Sequence, residues 1–405
     1  MTDAQGISRT WAYKVQSGKG TPASGSGGQL LRRTGIDLSG KKDKYSSNEI
    51  ASHQQSTGAT HGVGSATGTI SGELSATTYG DFIQWLLRKD WAATSAISSL
   101  SLTIAASGSL YTVTRATGDF LTGGIKVGDV IRLTGGSLNA NNVGKNLVVL
   151  DVTSTILTVD VLNGEALTAE GPIASCTVTV TGKKSWTPTS GHTNKYVTFE
   201  DWSSDVSRSQ VYSDVQPTAL NLSAPATGIV TVQIPLVGLK PAVRSGSQAL
   251  TSPTSETTTS VMSSAKFAVY IGGVRQDSVT SFSLNINGNI GLGEAVIGSN
   301  SRSDTQKGRI MADGSFTAIF EDDTLAGYFD DEAAREVVIV VAEDLTDDAD
   351  CISISLPAVK FFSADGDDGE KQLIRTFGIE AQRPAGAGSG TKHNDAIVSV
   401  QDTTL

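Results

Sequence analysis

A chain of 405 residues is long enough for two or three domains with real cores, but its two cysteines cannot staple a disulfide framework and its 6% aromatic content is thin for a carbohydrate-binding surface. No apolar run is long enough to span a bilayer as a helix, and the opening MTDAQGISRTW lacks a signal-peptide core, so a product made in the cytoplasm with no membrane stage is expected. The formal charge of −10 is uneven: residues 321–370 hold sixteen acids and two bases, leaving the remainder slightly basic.

The first fifty residues hold four acids against Arg9, Lys14, Lys19, Arg32, Arg33, Lys41, Lys42 and Lys44. They are expected to form an N-terminal arm with the first strands, 1–50. Within it, QSGKGTPASGSGGQ (16–29) has the Gly/Ser composition of a flexible segment. Its SGKGT is like the end of a phosphate-binding loop, but Tyr13 stands where the first glycine of that loop is required. A chain with a basic start and an acidic block can attract copies of itself head to tail; two ordinary solvated surfaces are the plainer alternative.

A helix is expected in TTYGDFIQWLLRK, with Thr78 as N-cap, Asp81 three residues later and an apolar face of Phe82, Ile83, Leu86 and Leu87. Residues 92–186 then change character, with short β-branched runs punctuated at Gly123–Gly124, Gly128–Asp129 and Gly135–Gly136. They are expected to be an inserted, barrel-like β module, one that could be excised. It interrupts a β-sandwich domain formed by 51–91 and 187–384.

Strict alternation marks GIVTVQIPL, VTSFSLNIN and CISISLP as half-buried antiparallel strands, apolar inside and polar outside. The polar stretch 239–260 is expected to be a flexible stacking loop, and 385–405 a flexible C-terminal tail. A second helix is expected in DDTLAGYFDDEAAR, where Asp322 and Asp323 suit the positive helix end. Glu321, Asp330, Asp331 and Glu332 gain nothing from that dipole and belong on a solvent face or opposite another charged surface. The fold class is therefore mainly β, an antiparallel sandwich or barrel with one or two flanking helices.

No catalytic, cofactor-binding or metal-binding residue can be assigned. His53, His61, His192 and His393 lack ligand spacing, and SADGDDGE (363–370) misses a calcium-loop register because Gly369 falls on the third ligand position. Cys176 and Cys351 sit in strand-like runs where cysteine acts as a small buried apolar residue. A glycosidase-type carboxylate pair would need aromatic walls, and a nucleic-acid groove would need clustered lysine and arginine. A secreted or surface β-sandwich binding and adhesion module stays open as an alternative, disfavoured by the missing signal peptide and scarce aromatics.

Several stretches taken in order resemble the siphophage major tail tube proteins: RTWAYKVQSGKGTP, LLRRTGIDLSGKKDKYSSNEI, GVGSATGTISGELSATTYGDFIQWLL, YVTFEDW, ALNLSAPATGIVTVQIPLVG, VTSFSLNING, GRIMADGSFTAIFEDDTLAGYF and ISISLPAVKFF. The middle module departs from the smallest members. The resemblance implies a non-enzymatic virion protein, assembled in the host cytoplasm, whose copies form stacked hexameric rings. The implied partners are a tape-measure protein, a tail terminator and distal tail or baseplate proteins. Double-stranded DNA would pass without specific binding through a lumen that is typically negative, with no cofactor and no membrane. On that basis Glu321, Asp322, Asp323, Asp330, Asp331 and Glu332 are candidates for lumenal or surface charge. The eight bases of the first fifty residues are candidates for arm contacts.

Overall fold

The β-branched, alternating runs close on one another at long range. The computed structural model describes residues 3–50, 52–367 and 372–405. The first two residues, Ala51 and positions 368–371 lie outside them, including the end of the SADGDDGE turn and of the acidic block. Among the described residues the fold is mainly antiparallel β, with two short α-helices, α1 (Gly80–Leu87) and α2 (Thr324–Asp330).

One layer sets seven strands side by side: Ala59–Glu73, Thr231–Gly238, Ala219–Ala224, Val279–Asn287, Met311–Ile319, Ile374–Ala381 and the second half of Cys351–Gly366. Alternate residues turn inward, as period two requires, so Phe282, Phe316 and Phe377 stack across three strands with centroids 6.2 and 5.0 Å apart. Facing them, Arg9–Val15, Val197–Ser203 and Arg208–Pro217 bring Trp11, Tyr13, Phe199 and Tyr212 into the same core. Helix α1 adds Phe82 and Trp85, both packed on Tyr13.

The strands Ala96–Ser107, Leu110–Arg115, Val130–Gly135, Leu147–Val152, Ile156–Val161 and Glu170–Val180 form a closed barrel. Its core is continuous with Ala268, Tyr270, Val338, Val340, Ala342 and Cys351 of the main body. That continuity explains the uninterrupted VVIVV. On the strand Arg335–Ala342, Val337, Ile339 and Val341 enter the main core, whereas Val338, Val340 and Ala342 enter the barrel core. CISISLP is likewise not half-exposed. Ser353 and Ser355 are buried and donate to the carbonyls of Gly128 (2.6 Å) and Val127 (3.2 Å) of the barrel. Gly128 has φ +87, and a Cβ there would meet Ser355 and Val338, so glycine is required where the barrel meets the sheet.

Three segments, expected to be an arm, a flexible loop and a flexible tail, are tied into this body. In 1–50, Arg9–Val15 runs between Val197–Ser203 and Gln29–Leu30, with Trp11 and Leu31 buried. In 239–260, Leu250 is fully buried and the backbone N–H groups of Ala249 and Leu250 donate to the buried carboxylate of Glu200, both at 2.6 Å. The segment 385–405 is no tail: Ser399–Asp402 pairs with Lys183–Trp186 and with Cys351–Gly366, burying Val398 and Val400. A few buried apolar anchors hold each otherwise polar stretch, helped by strand pairing in 1–50 and 385–405 and by the buried Glu200 acceptor in 239–260. Thr78 is not the N-cap of α1 either. Tyr79 takes that position, and the Thr78 hydroxyl bonds Ser75 and Thr257 instead.

Candidate functional site: charged ends and a polar sheet face

Glu321, Asp322, Asp323, Asp330, Asp331 and Glu332 are all exposed around α2. The helix is seated by Leu325 and by Tyr328, whose ring lies 5.8 Å from that of Phe361 on the core side of its strand. Asp331 pairs with Arg335, and Asp323 lies 3.5 Å from Arg375. Among the described residues Glu321, Asp322, Asp330 and Glu332 have no cation within 4.0 Å. Asp322 accepts from the backbone N–H of Thr324 at 2.8 Å, and this bond holds its carboxyl below the usual range.

The turn at 347–349 works differently. Asp347 accepts from Lys145 (2.7 Å) and Asn163 (3.0 Å), the carbonyl of Asp348 from Arg132 (2.8 Å), and the carbonyl of Ala349 from Asn146 (2.7 Å). This turn fastens the barrel to the body, and the Lys145 hydrogen bond leads in lowering the Asp347 carboxyl. Among the described residues no three His, Cys, Asp or Glu side chains converge as metal ligands.

The basic residues also divide. Arg9 makes a two-pronged pair with Asp201 (2.6 Å each), and that bond raises its pKa. Lys14 donates to the carbonyls of Ser24 and Ser26, Lys19 to Asp304 (3.3 Å), Arg32 to the carbonyl of Thr259 (2.6 Å), and Arg33 to the carbonyls of Leu31 and Arg9. These five are internal staples. Lys41, Lys42 and Lys44 are different: they lie on Ser39–Ser46, a strand exposed along its whole length, paired with Ala59–Glu73.

The strand registers show where these charges sit. Met311–Ile319 covers nine residues, a span of about 30 Å at strand rise. Beyond Ile319 come Glu321 and α2. Before Met311 come Lys307 and Arg309, which with Arg88 and Arg383 line a groove of about 800 Å3. The Lys41–Lys44 hairpin leaves the sheet at this same end, because Ala59–Glu73 runs on past its last pairing with Thr231–Gly238 at Ala66. The seven-strand layer thus has an acidic end and a basic end. The groove residues escape sequence reading because they come from distant segments; their one legible trace is 302–309, with three bases and one acid.

Between the ends, the outward face of the layer is polar. One row runs Ser71, Gln233, Asn221, Asn285, Asp313, Glu380 and Lys360 across all seven strands. Ser283 and Ser315 hydrogen-bond across the next row at 2.9 Å. Hydroxyl and amide groups dominate, with few charges.

A family model described as "Phage tail tube protein" matches residues 6–381. The chain belongs to the phage tail tube protein family. No curated protein matches it. As a tail tube protein it is a structural component of the bacteriophage virion, and the family implies a non-enzymatic role and self-assembly with other tail proteins. Among the described residues no helix is long and apolar enough to cross a membrane.

Proposed function

We propose that this tail tube protein is the major tube subunit of a long, non-contractile phage tail. Its copies stack as hexameric rings around a tape-measure protein, between a tail terminator and distal tail or baseplate proteins, and double-stranded DNA later passes through the bore. The observation that carries this reading is the polar seven-strand face. At strand spacing it is about 30 Å wide, broad enough to contribute an arc of a channel wall. Its charged residues include Glu73, Asp313 and Glu380 against Lys360. Each lysine or arginine on a phosphate adds salt-dependent affinity, so a wall of hydroxyls, amides and a few carboxylates lets a polyanion slide.

The packing of α2 on the core side of Phe361 supports a position away from the bore for Glu321–Glu332, among contacts between subunits. The exposed Lys41–Lys44 hairpin has the form of an arm reaching a neighbouring ring. Its unpaired edge would be covered there, as exposed edges generally must be. Negative-stain microscopy of concentrated protein tests the proposal. Hollow tubes of uniform width with six-fold end views are expected, and single particles at every concentration and salt would refute it.

A further inference from the structure

Among the described residues the one carboxylate lining the basic groove, Asp395, is engaged by Arg383. Among the described residues Arg383 is paired, with both its bonds to Asp395 at 2.6 Å, while Arg88, Lys307 and Arg309 have no carboxylate within 4.0 Å. Arg88 is only 9% exposed. It donates to the carbonyls of Gly308 (3.0 Å) and Gly288 (2.5 Å), and its buried Nε has no partner among the described residues. Buried charge is normally paired, yet among the described residues three of the four groove cations keep no carboxylate partner once Asp395 is engaged by Arg383. Its floor carries apolar Ile310 and Ile397.

The complementary surface lies on the same molecule and out of its own reach. At the far end of Met311–Ile319, about 30 Å away, α2 and its flanks present Glu321, Asp322, Asp330 and Glu332, with no cation within 4.0 Å among the described residues, around the part-exposed ring of Phe329. An apolar centre ringed by charge is ordinary interface anatomy. We propose that the groove of Arg88, Lys307, Arg309 and Arg383 receives the α2 tip, Glu321–Glu332, of a second copy of this chain. Because donor and acceptor surfaces differ, the contact is heterologous and repeats from copy to copy. It rests on the stacking reading above and adds to it the residues that set polarity.

Two charge-reversed proteins test this, Lys307→Glu with Arg309→Glu, and Glu321→Lys with Asp330→Lys, each checked for folding by circular dichroism melting. Each alone faces like charge with like, and pelletable tube is expected to fall at least about tenfold. Mixed one to one, each reversed surface meets an opposite one, and tube yield is expected to recover. Failure of the mixture to recover, or wild-type assembly by both variants alone, overturns the contact while leaving tube formation intact. Absence of tubes from the wild-type protein under all conditions overturns the stacking reading, and this contact with it. Loss of retention of a short DNA duplex by Lys307→Glu with Arg309→Glu, with assembly unchanged, would overturn it in favour of a phosphate site.

Discussion

Val337 and Val338 are adjacent in the chain and belong to different hydrophobic cores, Val337 to the sandwich and Val338 to the barrel. A strand buried on both faces cannot alternate apolar with polar, so Arg335–Ala342 reads as a continuous apolar run. The barrel therefore covers this face of the body and is not a free appendage.

Truncating Val338 tests the shared core. Val338→Ala is expected to cost about 2 kcal/mol, the scale of a buried valine's transfer term, measured by denaturant titration. The Cys351 thiol, pushed up to about 12 by burial, is a reporter on the same interface. In the intact protein it is expected to resist alkylation. Excision of 96–184, tolerable for an independent module, is expected instead to expose Tyr270, Val338 and Cys351, giving an aggregating protein or one whose Cys351 labels rapidly. A soluble excised protein with protected Cys351 would refute the shared core.

Glu200 tests how a polar loop is held. Its carboxylate accepts from Ser209, Ala249 and Leu250. Glu200→Ala leaves buried donors unsatisfied, at a cost of about 2–3 kcal/mol, and is expected to open 239–260 to limited proteolysis. Glu200→Gln keeps one carbonyl acceptor and is expected to lose less. Equal cleavage in wild type and Glu200→Ala would show that other contacts hold the loop.

The sheet face yields a prediction about transport. Asn285 and Gln233 point outward on the polar face, so converting both to lysine is expected to leave folding and tube formation unchanged. If the face lines the bore, tubes of the double variant should retain double-stranded DNA at low salt and release it as salt rises. Tubes that ignore DNA would place the face elsewhere.

His393 sets a pH dependence. Burial holds its imidazole below the ordinary 6.5, ahead of the smaller influences of Glu336, Lys392, Asp151 and Lys126. The unfolded chain takes up this proton at a higher pH than the folded one. The stability from neutral His393 is therefore present above pH 6.5 and lost as pH falls through the folded value. Melting temperature is expected to drop between pH 7.5 and 5.5 in wild type, and less in His393→Gln. Parallel curves would refute the assignment.

What the sequence determined by itself is local. Period two fixed the inward faces of VTSFSLNIN and GIVTVQIPL, the apolar faces of GDFIQWLL fixed α1, and the order of these stretches carried the family resemblance. What only the tertiary structure decided depends on which strands lie side by side. Ser353 and Ser355 are polar by sequence and buried because a barrel lies over them. The bases of the first fifty residues look alike in sequence, yet Arg9 is held by Asp201 while Lys41, Lys42 and Lys44 are exposed on a hairpin. Arg88, Lys307, Arg309 and Arg383 share one groove only because strand registers carry distant segments to the same end of the sheet. Alternation is set by neighbours within a few residues, whereas burial from the second side and charge placement are set by long-range pairing, which no local pattern encodes.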